Sequence, residues 1–371
     1  MSGLYIHVPY CRSKCAYCDF YSVAARSLDA DRYVDAIAAE LAARIDSYPH
    51  PFSTVYIGGG TPSVLPAQAL SRLIGLVAPK AVSDAEITIE VNPDDIDRPL
   101  ADLLAGSGVN RVSMGVQSLV DTELRAISRR HDALSAIEAV STLRRAGIDN
   151  ISCDLIYGLP GQTPASFARS IDRLLEIGPP HISAYLLSYE PGTRLTRDLE
   201  AGRISRASDT EACNYYHQLC DALSAAGYIH YEISNFALPG MHSRHNSSYW
   251  DPDSAYLGLG PSAHSYDGIC RRRANIASIG RYLSSPADAA DPELTETLSE
   301  SQLFDERLML GLRTMAGVDT STLPSSLSTP MLRRARKWIE AGDLHLRNSV
   351  LTIDPASWLI TDSILADLFA D

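Results

Sequence analysis

Short apolar runs alternate with longer amphipathic stretches through the first half of this chain. The runs at 4–8, 54–57, 86–91, 111–115, 151–157 and 181–187 read as strands. Between them, 31–45 carries Tyr33, Ile37, Leu41 and Ile45 at intervals of four, which is one face of a helix. Segments 67–77, 133–146 and 166–177 have similar spacing. Six strands alternating with helices predict an α/β fold with a parallel sheet closed partly or wholly into a barrel.

After about residue 200 the pattern changes. Segment 209–226 reads as a helix with Cys213 and Cys220 on one face, as core thiols. A loop-rich region follows, with HSRHNSSYW (242–250) and GLGPSAHSY (258–266). SSPADAADPE (284–293) reads as a linker. The tail gives helices near 302–315 and 331–341, a hairpin over 344–353 and a last helix near 361–369. That order is the outline of a small winged-helix-like α+β unit. The expected division is therefore 1–200 as a barrel core, 201–290 as a connecting region and 291–371 as a C-terminal domain.

Parallel βα sheets place ligands at the carboxyl ends of their strands. Here those ends are VPYC, GGGTPS, EVNPDD, GVQS, the strand ISCDLIY with Asp154, and SYEPGT. Nearly every polar or glycine-rich feature lies at the same end of its strand.

The formal net charge of −13 weighs against nucleic acid as the main partner. Arg271, Arg272 and Arg273 read as a solvated loop, with a carboxylate site as the sharper alternative. No basic, then apolar, leader is visible, and no window suits a membrane span. Seven cysteines, three of them clustered, suit a reducing compartment and a metal better than a disulfide framework. A cytoplasmic location is expected.

The cluster is CRSKCAYCDF, with Cys11, Cys15 and Cys18. A structural zinc site closes with four protein ligands, and His7 or Asp19 would have to complete it. A [4Fe–4S] cluster with three thiolates keeps one iron open, able to hold an amine and a carboxylate. The C-x3-C-x2-C spacing, with Tyr17 before the last cysteine, resembles the radical S-adenosylmethionine (SAM) superfamily. The resemblance implies a [4Fe–4S] cluster whose open iron chelates SAM. It also implies a partial (β/α)6 TIM-like barrel. GGGTP after the second strand fits close backbone approach to SAM.

YIHVPYCRSKCAYCDF, GGGTPS, EVNPDD, GVQS, RRH and DLIYGLPGQT together resemble the oxygen-independent coproporphyrinogen III oxidase family. That family's SAM-site pattern falls on Tyr5, Gly59, Gly60, Thr61, Glu90, Gln117, Arg129 and Asp154; only register separates Arg129 from Arg130. Two departures point to its haem chaperone branch. Phe20 stands where the oxidases have a fourth cysteine, and the motif begins at residue 11, with no long segment before it. RHNSSYW matches that branch's signature, which makes His245 the implied haem contact. His242 and His264 read as structural, and His7 as a support behind the cluster. The resemblance implies haem as ligand, haem-acceptor proteins (membrane respiratory proteins among them) as partners, and a location that allows peripheral contact with a membrane; a homodimer is compatible. The rivals are coproporphyrinogen III oxidation, an RNA-modifying radical SAM enzyme and a zinc protein.

Overall fold

The computed structural model describes residues 2–370. The chain opens with β1 (Ser2–Val8), the two-residue β2 (Tyr10–Cys11) and β3 (Val23–Ala24), and α1 (Ala30–Arg44). Then come β4 (Phe52–Gly59), α2 (Ala67–Val77), β5 (Ala81–Val91), α3 (Arg98–Gly106) and β6 (Arg111–Gln117). After α4 (Asp121–Ala126) and α5 (Ala133–Arg145), the series ends with β7 (Ile151–Tyr157), α6 (Pro164–Ile177) and β8 (His181–Leu186). β1 and β4 to β8 lie parallel, side by side in chain order. All six expected strands are present, as the barrel requires.

Each strand has two unlike faces. Leu4, Ile6, Ile87, Ile89, Val112, Met114 and Leu155 join one buried core with α1, α2, α3, α5 and α6. Residues of the opposite parity are polar or aromatic: Tyr5, Thr54, Tyr56, Glu86, Thr88, Glu90, Arg111, Ser113, Ser152, Asp154, His181 and Ser183. These bond one another across the inside of the sheet. Ser152 Oγ lies 2.7 Å from His181 Nδ1, and Tyr56 donates to Glu90 at 2.7 Å. A period of two with apolar residues outward makes the helices a shell and the barrel interior a polar chamber.

Segment 201–290 does more than connect. Past α7 (Arg194–Glu200) and α8 (Asp209–Ala225), β9 (Ile229–Glu232) and β10 (Asn235–Ala237) extend the β8 edge antiparallel. Beyond α9 (Arg244–Tyr249), β11 (Ala255–Leu259) pairs parallel with β1, at the other edge. β12 (His264–Tyr266), β13 (Arg271–Ala274) and β14 (Glu296–Thr297) continue it antiparallel. The result is one 12-stranded open sheet. The arginine run is thus a strand, with Arg272 paired to Glu306. The segment 284–293 is not a free linker: Ile276 N–H donates to Ala289 O and Asp291 N–H to Ala274 O, both at 2.8 Å.

The last unit holds α11 (Glu300–Gly311), α12 (Ser325–Ala341) and α13 (Thr361–Leu368), with α10 (Ile279–Ser284) before it. Its sheet orders β15 (Val318–Asp319), β17 (Val350–Ile353) and β16 (Leu344–Arg347). Backbone bonds from Ile233 to Arg313 (2.9 Å) and from Met315 to Tyr231 (3.0 Å) seat it against β9.

A buried carboxylate fastens the β11–β13 extension to the barrel. Glu40, on α1, accepts from Arg44, from Asn275 and Tyr282 at 2.7 Å and from the Gly260 amide at 2.9 Å. Arg44 also bonds Gly258 O and Ser265. Replacing Glu40 by Ala strands the Arg44 charge in the interior. We expect a loss of about 3–5 kcal/mol in urea unfolding of the purified chain.

Candidate functional site

The cysteine loop leaves β1 at the carboxyl ends of the strands. It is anchored through Ala16, whose N–H donates to Ile127 O (3.1 Å) and whose carbonyl accepts from Leu195 N–H (2.8 Å). Ala16 also packs with Ile127, Ile156, Leu159, Leu187 and Leu195. The three thiols are half-buried, and burial pushes Cys18 up to about 11 and Cys11 above its ordinary value. His7 supports the loop from beneath, with Nε2 2.9 Å from Tyr21 O and Nδ1 3.0 Å from the Tyr5 hydroxyl.

A run of hydrogen bonds joins two of the cysteines. Thr61 Oγ1 donates to Cys11 Sγ at 3.5 Å, and Asn92 Nδ2 donates to Thr61 Oγ1 at 3.3 Å. Asn92 Oδ1 accepts from Arg129 Nη2 at 2.8 Å, and Arg129 Nη1 donates to Cys15 Sγ at 3.3 Å. The choice between the two arginines is thereby made: Arg129 faces the cysteines, while Arg130 pairs with Asp94 and Asp95. Asn92, in EVNPDD one residue past the third strand, stands out in the sequence as a polar strand-end residue, and the structure adds it to the residues around the cysteines.

The glycines have a reason inside the protein. Gly59 has φ +105°, and a Cβ there would come within 2.6 Å of His7 Nδ1. A Cβ on Gly60 would lie 2.8 Å from Tyr10 O. The loop crosses the end of β1 closely enough for the Gly60 and Thr61 amides to bond Val8 O and Tyr10 O, both at 2.8 Å. Crowding by β1, as much as any ligand, requires glycine here.

Gln117 closes β6 in a left-handed conformation, φ +68°, after a bulge. Such a conformation in a buried non-glycine residue is a strain held by its surroundings. Glu90 and Asp154 line the chamber beneath. Glu90 accepts from Tyr56 and, at 3.0 Å, from the Gly59 amide. Burial, reinforced by the Asp154 carboxylate, raises Glu90 to about 7. Burial raises Asp154 to about 6, against the pull of Ser183, Arg111 and Arg129. Deeper in, Arg111 is 1% exposed with Nε and Nη2 lacking a hydrogen-bond partner among the described residues. The chamber is thus built for polar contents.

The three thiols fit a thiolate-bound cluster. Two of them receive hydrogen bonds, Cys11 from Thr61 and Cys15 from Arg129. Among the described residues no three His, Cys, Asp or Glu side chains converge on a single-ion site.

Residues 5–174 match the radical SAM superfamily. The chain is 37% identical to "Heme chaperone HemW" of Lactococcus lactis over 85% of this chain and 83% of that protein. It is 36% identical to the protein of the same name in Bacillus subtilis, over 86% and 85%. The chain belongs to the HemW family. Its fold is also that of the Escherichia coli radical SAM enzyme coproporphyrinogen III oxidase (HemN), with TM-score 0.84 at 25% identity, covering 99% of this chain and 90% of that one. Radical SAM membership implies SAM and a [4Fe–4S] cluster.

The residue expected to mark haem binding in this HemW family member lies at the far, amino end of the barrel strands. His245 is not in a loop but in α9, whose amino end is held by Glu86: the Arg244 and His245 amides donate to its carboxylate at 2.9 Å each. His245 is 1% exposed. Nδ1 lies 2.8 Å from Thr54 Oγ1, Nε2 lies 3.1 Å from the Tyr249 hydroxyl, and the ring stacks on Tyr56 at 4.9 Å. Burial, with Arg111 nearby, lowers it to about 3. In this fold both ring nitrogens are hydrogen-bonded to hydroxyls. The ring is a plug in the barrel floor, and the polar loop expected from the sequence is instead a docked helix.

The same helix has a second side. Ser247 and Trp250 line a cavity of about 430 Å³ between the barrel floor and the last unit, together with His242, Arg307 and Met315.

Glu90 gives a pH signature. Its folded pKa lies above its ordinary 4.5, so the folded chain holds the proton more tightly than the unfolded one. That stability is present below about pH 4.5 and is lost as pH rises through about 7. In thermal melts of the cofactor-free chain, Glu90→Gln should gain on the parent across this window, by roughly 3 kcal/mol at most. A gap that does not vary with pH would contradict the assignment.

Proposed function

We propose that this chain is a haem carrier: it binds haem, hands it to acceptor proteins, and holds a [4Fe–4S] cluster with SAM at the barrel mouth. The observation that carries the reading is near-full-length similarity. Relatives from Lactococcus, Bacillus and Mycobacterium tuberculosis, 34–37% identical, all bear the name heme chaperone. Phe20 agrees with it: it replaces the oxidases' further cysteine and stands 65% exposed beside the cluster loop.

In this reading Cys11, Cys15 and Cys18 hold the cluster, and Tyr5, Gly59, Gly60, Thr61, Glu90, Gln117, Arg129 and Asp154 surround SAM. When bound, these groups supply one-electron cleavage of a sulfonium. The chain's own residues orient and shield. Arg129 sets a cation beside Cys15 and can meet a carboxylate, while Glu90 and Asp154 accept from hydroxyl or amine donors. No helix among the described residues is long and apolar enough to cross a membrane, so acceptors embedded in one would be met from outside it.

Anaerobic haem titration of the cluster-loaded chain, beside an assay with coproporphyrinogen III, SAM and a reductant, separates carrier from oxidase. The carrier gives stoichiometric haem binding and no protoporphyrinogen IX. Product formed over many turnovers would make the chain an oxidase instead. The hydrogen-bond run gives a separate expectation. Asn92→Ala should retain the iron but loosen Arg129, lowering the cluster's reduction potential by roughly tens of millivolts in a redox titration. An unchanged potential would show that Asn92 does not position Arg129.

A further inference from the structure

A column of aromatic rings runs through the barrel from beneath the cysteine loop to the floor. Tyr5 and Tyr56, on the inner faces of β1 and β4, have ring centroids 6.1 Å apart. Tyr56 stacks on His245 at 4.9 Å. The imidazole meets Tyr249 at 5.0 Å, and Tyr249 meets Tyr256 of β11 at 4.8 Å. Tyr5 and Tyr256, at the two ends, are only half-buried.

Packing alone would be served as well by phenylalanine. Three of these rings are instead phenols bonded to a base. A backbone carbonyl can only accept, so His7 Nε2, 2.9 Å from Tyr21 O, carries the ring proton, and Nδ1 accepts from the Tyr5 hydroxyl at 3.0 Å. Tyr56 donates to the Glu90 carboxyl group at 2.7 Å. The Tyr249 hydroxyl lies 3.1 Å from His245 Nε2. A phenol gives up an electron readily when its proton leaves with it, and these contacts are short enough for that transfer.

We propose that this column is a radical relay: it draws an unquenched carbon radical from the barrel mouth and passes the unpaired electron to Tyr256. The inference rests on the reading that a cluster with SAM occupies the mouth. A carrier brings no hydrogen-donating substrate there, so a radical left by cleavage of the sulfonium needs a donor in the protein. Tyr5 gives it a hydrogen atom: the phenolic O–H bond breaks, a C–H bond forms in 5′-deoxyadenosine, and Tyr5 keeps the unpaired electron. A phenolic O–H bond is weaker than an alkyl C–H bond, so the step runs downhill. Tyr56 then returns an electron to Tyr5, which takes a proton from water in the chamber, while the Tyr56 proton moves to Glu90. Tyr249 refills Tyr56 across the His245 ring; Glu90 hands its proton back and His245 receives that of Tyr249. Tyr256 refills Tyr249 in turn, His245 returns the proton, and Tyr256 loses its own to water. A thiol in solution restores Tyr256 by giving it a hydrogen atom, and two such thiols end as a disulfide.

The test mixes the full-length, cluster-loaded chain with SAM and one equivalent of reductant, without substrate or oxygen, in deuterium oxide. Phenolic hydrogens exchange with the solvent and carbon-bound ones do not, so the deoxyadenosine should carry a single deuterium by mass spectrometry. Freeze-quenched samples should show a tyrosyl signal by electron paramagnetic resonance that ring-deuterated tyrosine narrows. A nitroso spin trap with peptide mapping should mark Tyr256 in the parent, and that mark should be lost in both Tyr56→Phe and Tyr249→Phe, with thermal melts confirming that each variant folds. Deoxyadenosine free of deuterium, or a mark on Tyr256 that survives both substitutions, overturns the relay and leaves the SAM reading standing. If no deoxyadenosine forms, the relay has nothing to carry and falls, and equilibrium dialysis of SAM against the loaded chain then decides the SAM reading separately.

Discussion

A polar side chain taken out of water costs free energy unless it finds a partner, and this barrel takes many out of water at once. Apolar residues of β1 and β4–β8 face the helices, so everything of opposite parity is turned inward. An unpaired buried carboxylate would cost several kcal/mol. The interior is therefore organised by pairing. Glu86 takes the amino end of α9, Glu90 takes Tyr56 and the Gly59 amide, and Glu40 takes four donors at the flank. Where pairing stays incomplete, as at Arg111, the chamber is open to a ligand's polar groups.

The same constraint separates the two ends. At the mouth, the loop after β4 crosses β1 so closely that only glycine fits at 59 and 60, and this brings Thr61 onto Cys11. Asn92 and Arg129 extend that contact to Cys15, so three strand ends share one hydrogen-bonded frame around the cysteines. At the floor, α9 closes the chamber with His245, and its outer side forms one wall of the cavity against the last unit. One helix thus serves two compartments, and a residue's role depends on which side of it the residue occupies.

Much of this was legible in the chain. The six strands, four of the helices between them and the final helix–helix–hairpin–helix order lie where hydrophobic spacing puts them, while α3 and α4 were not read and α12 begins six residues earlier than expected. The cysteine spacing and the features at strand ends located the mouth, because parallel strands gather their carboxyl ends whatever the details of packing. The interior was less visible, although Glu86-Thr88-Glu90 and Ser152-Asp154 alternate with apolar neighbours. Short strands with one polar face also resemble ordinary surface strands, and period two does not say whether that face meets water or a chamber.

Sequence by itself determined the strand and helix pattern, the three-thiolate loop and the family, since these depend on local spacing and residue type. Tertiary structure decided what contacts between distant segments decide. It made 284–293 part of the sheet's edge, put β11 beside β1, and selected Arg129 over Arg130. It also buried His245 and left His242 beside a cavity. Both histidines stand in the same polar stretch of sequence. The docking of α9 onto Glu86, 159 residues away from His245, sets that ring between Thr54 and Tyr249.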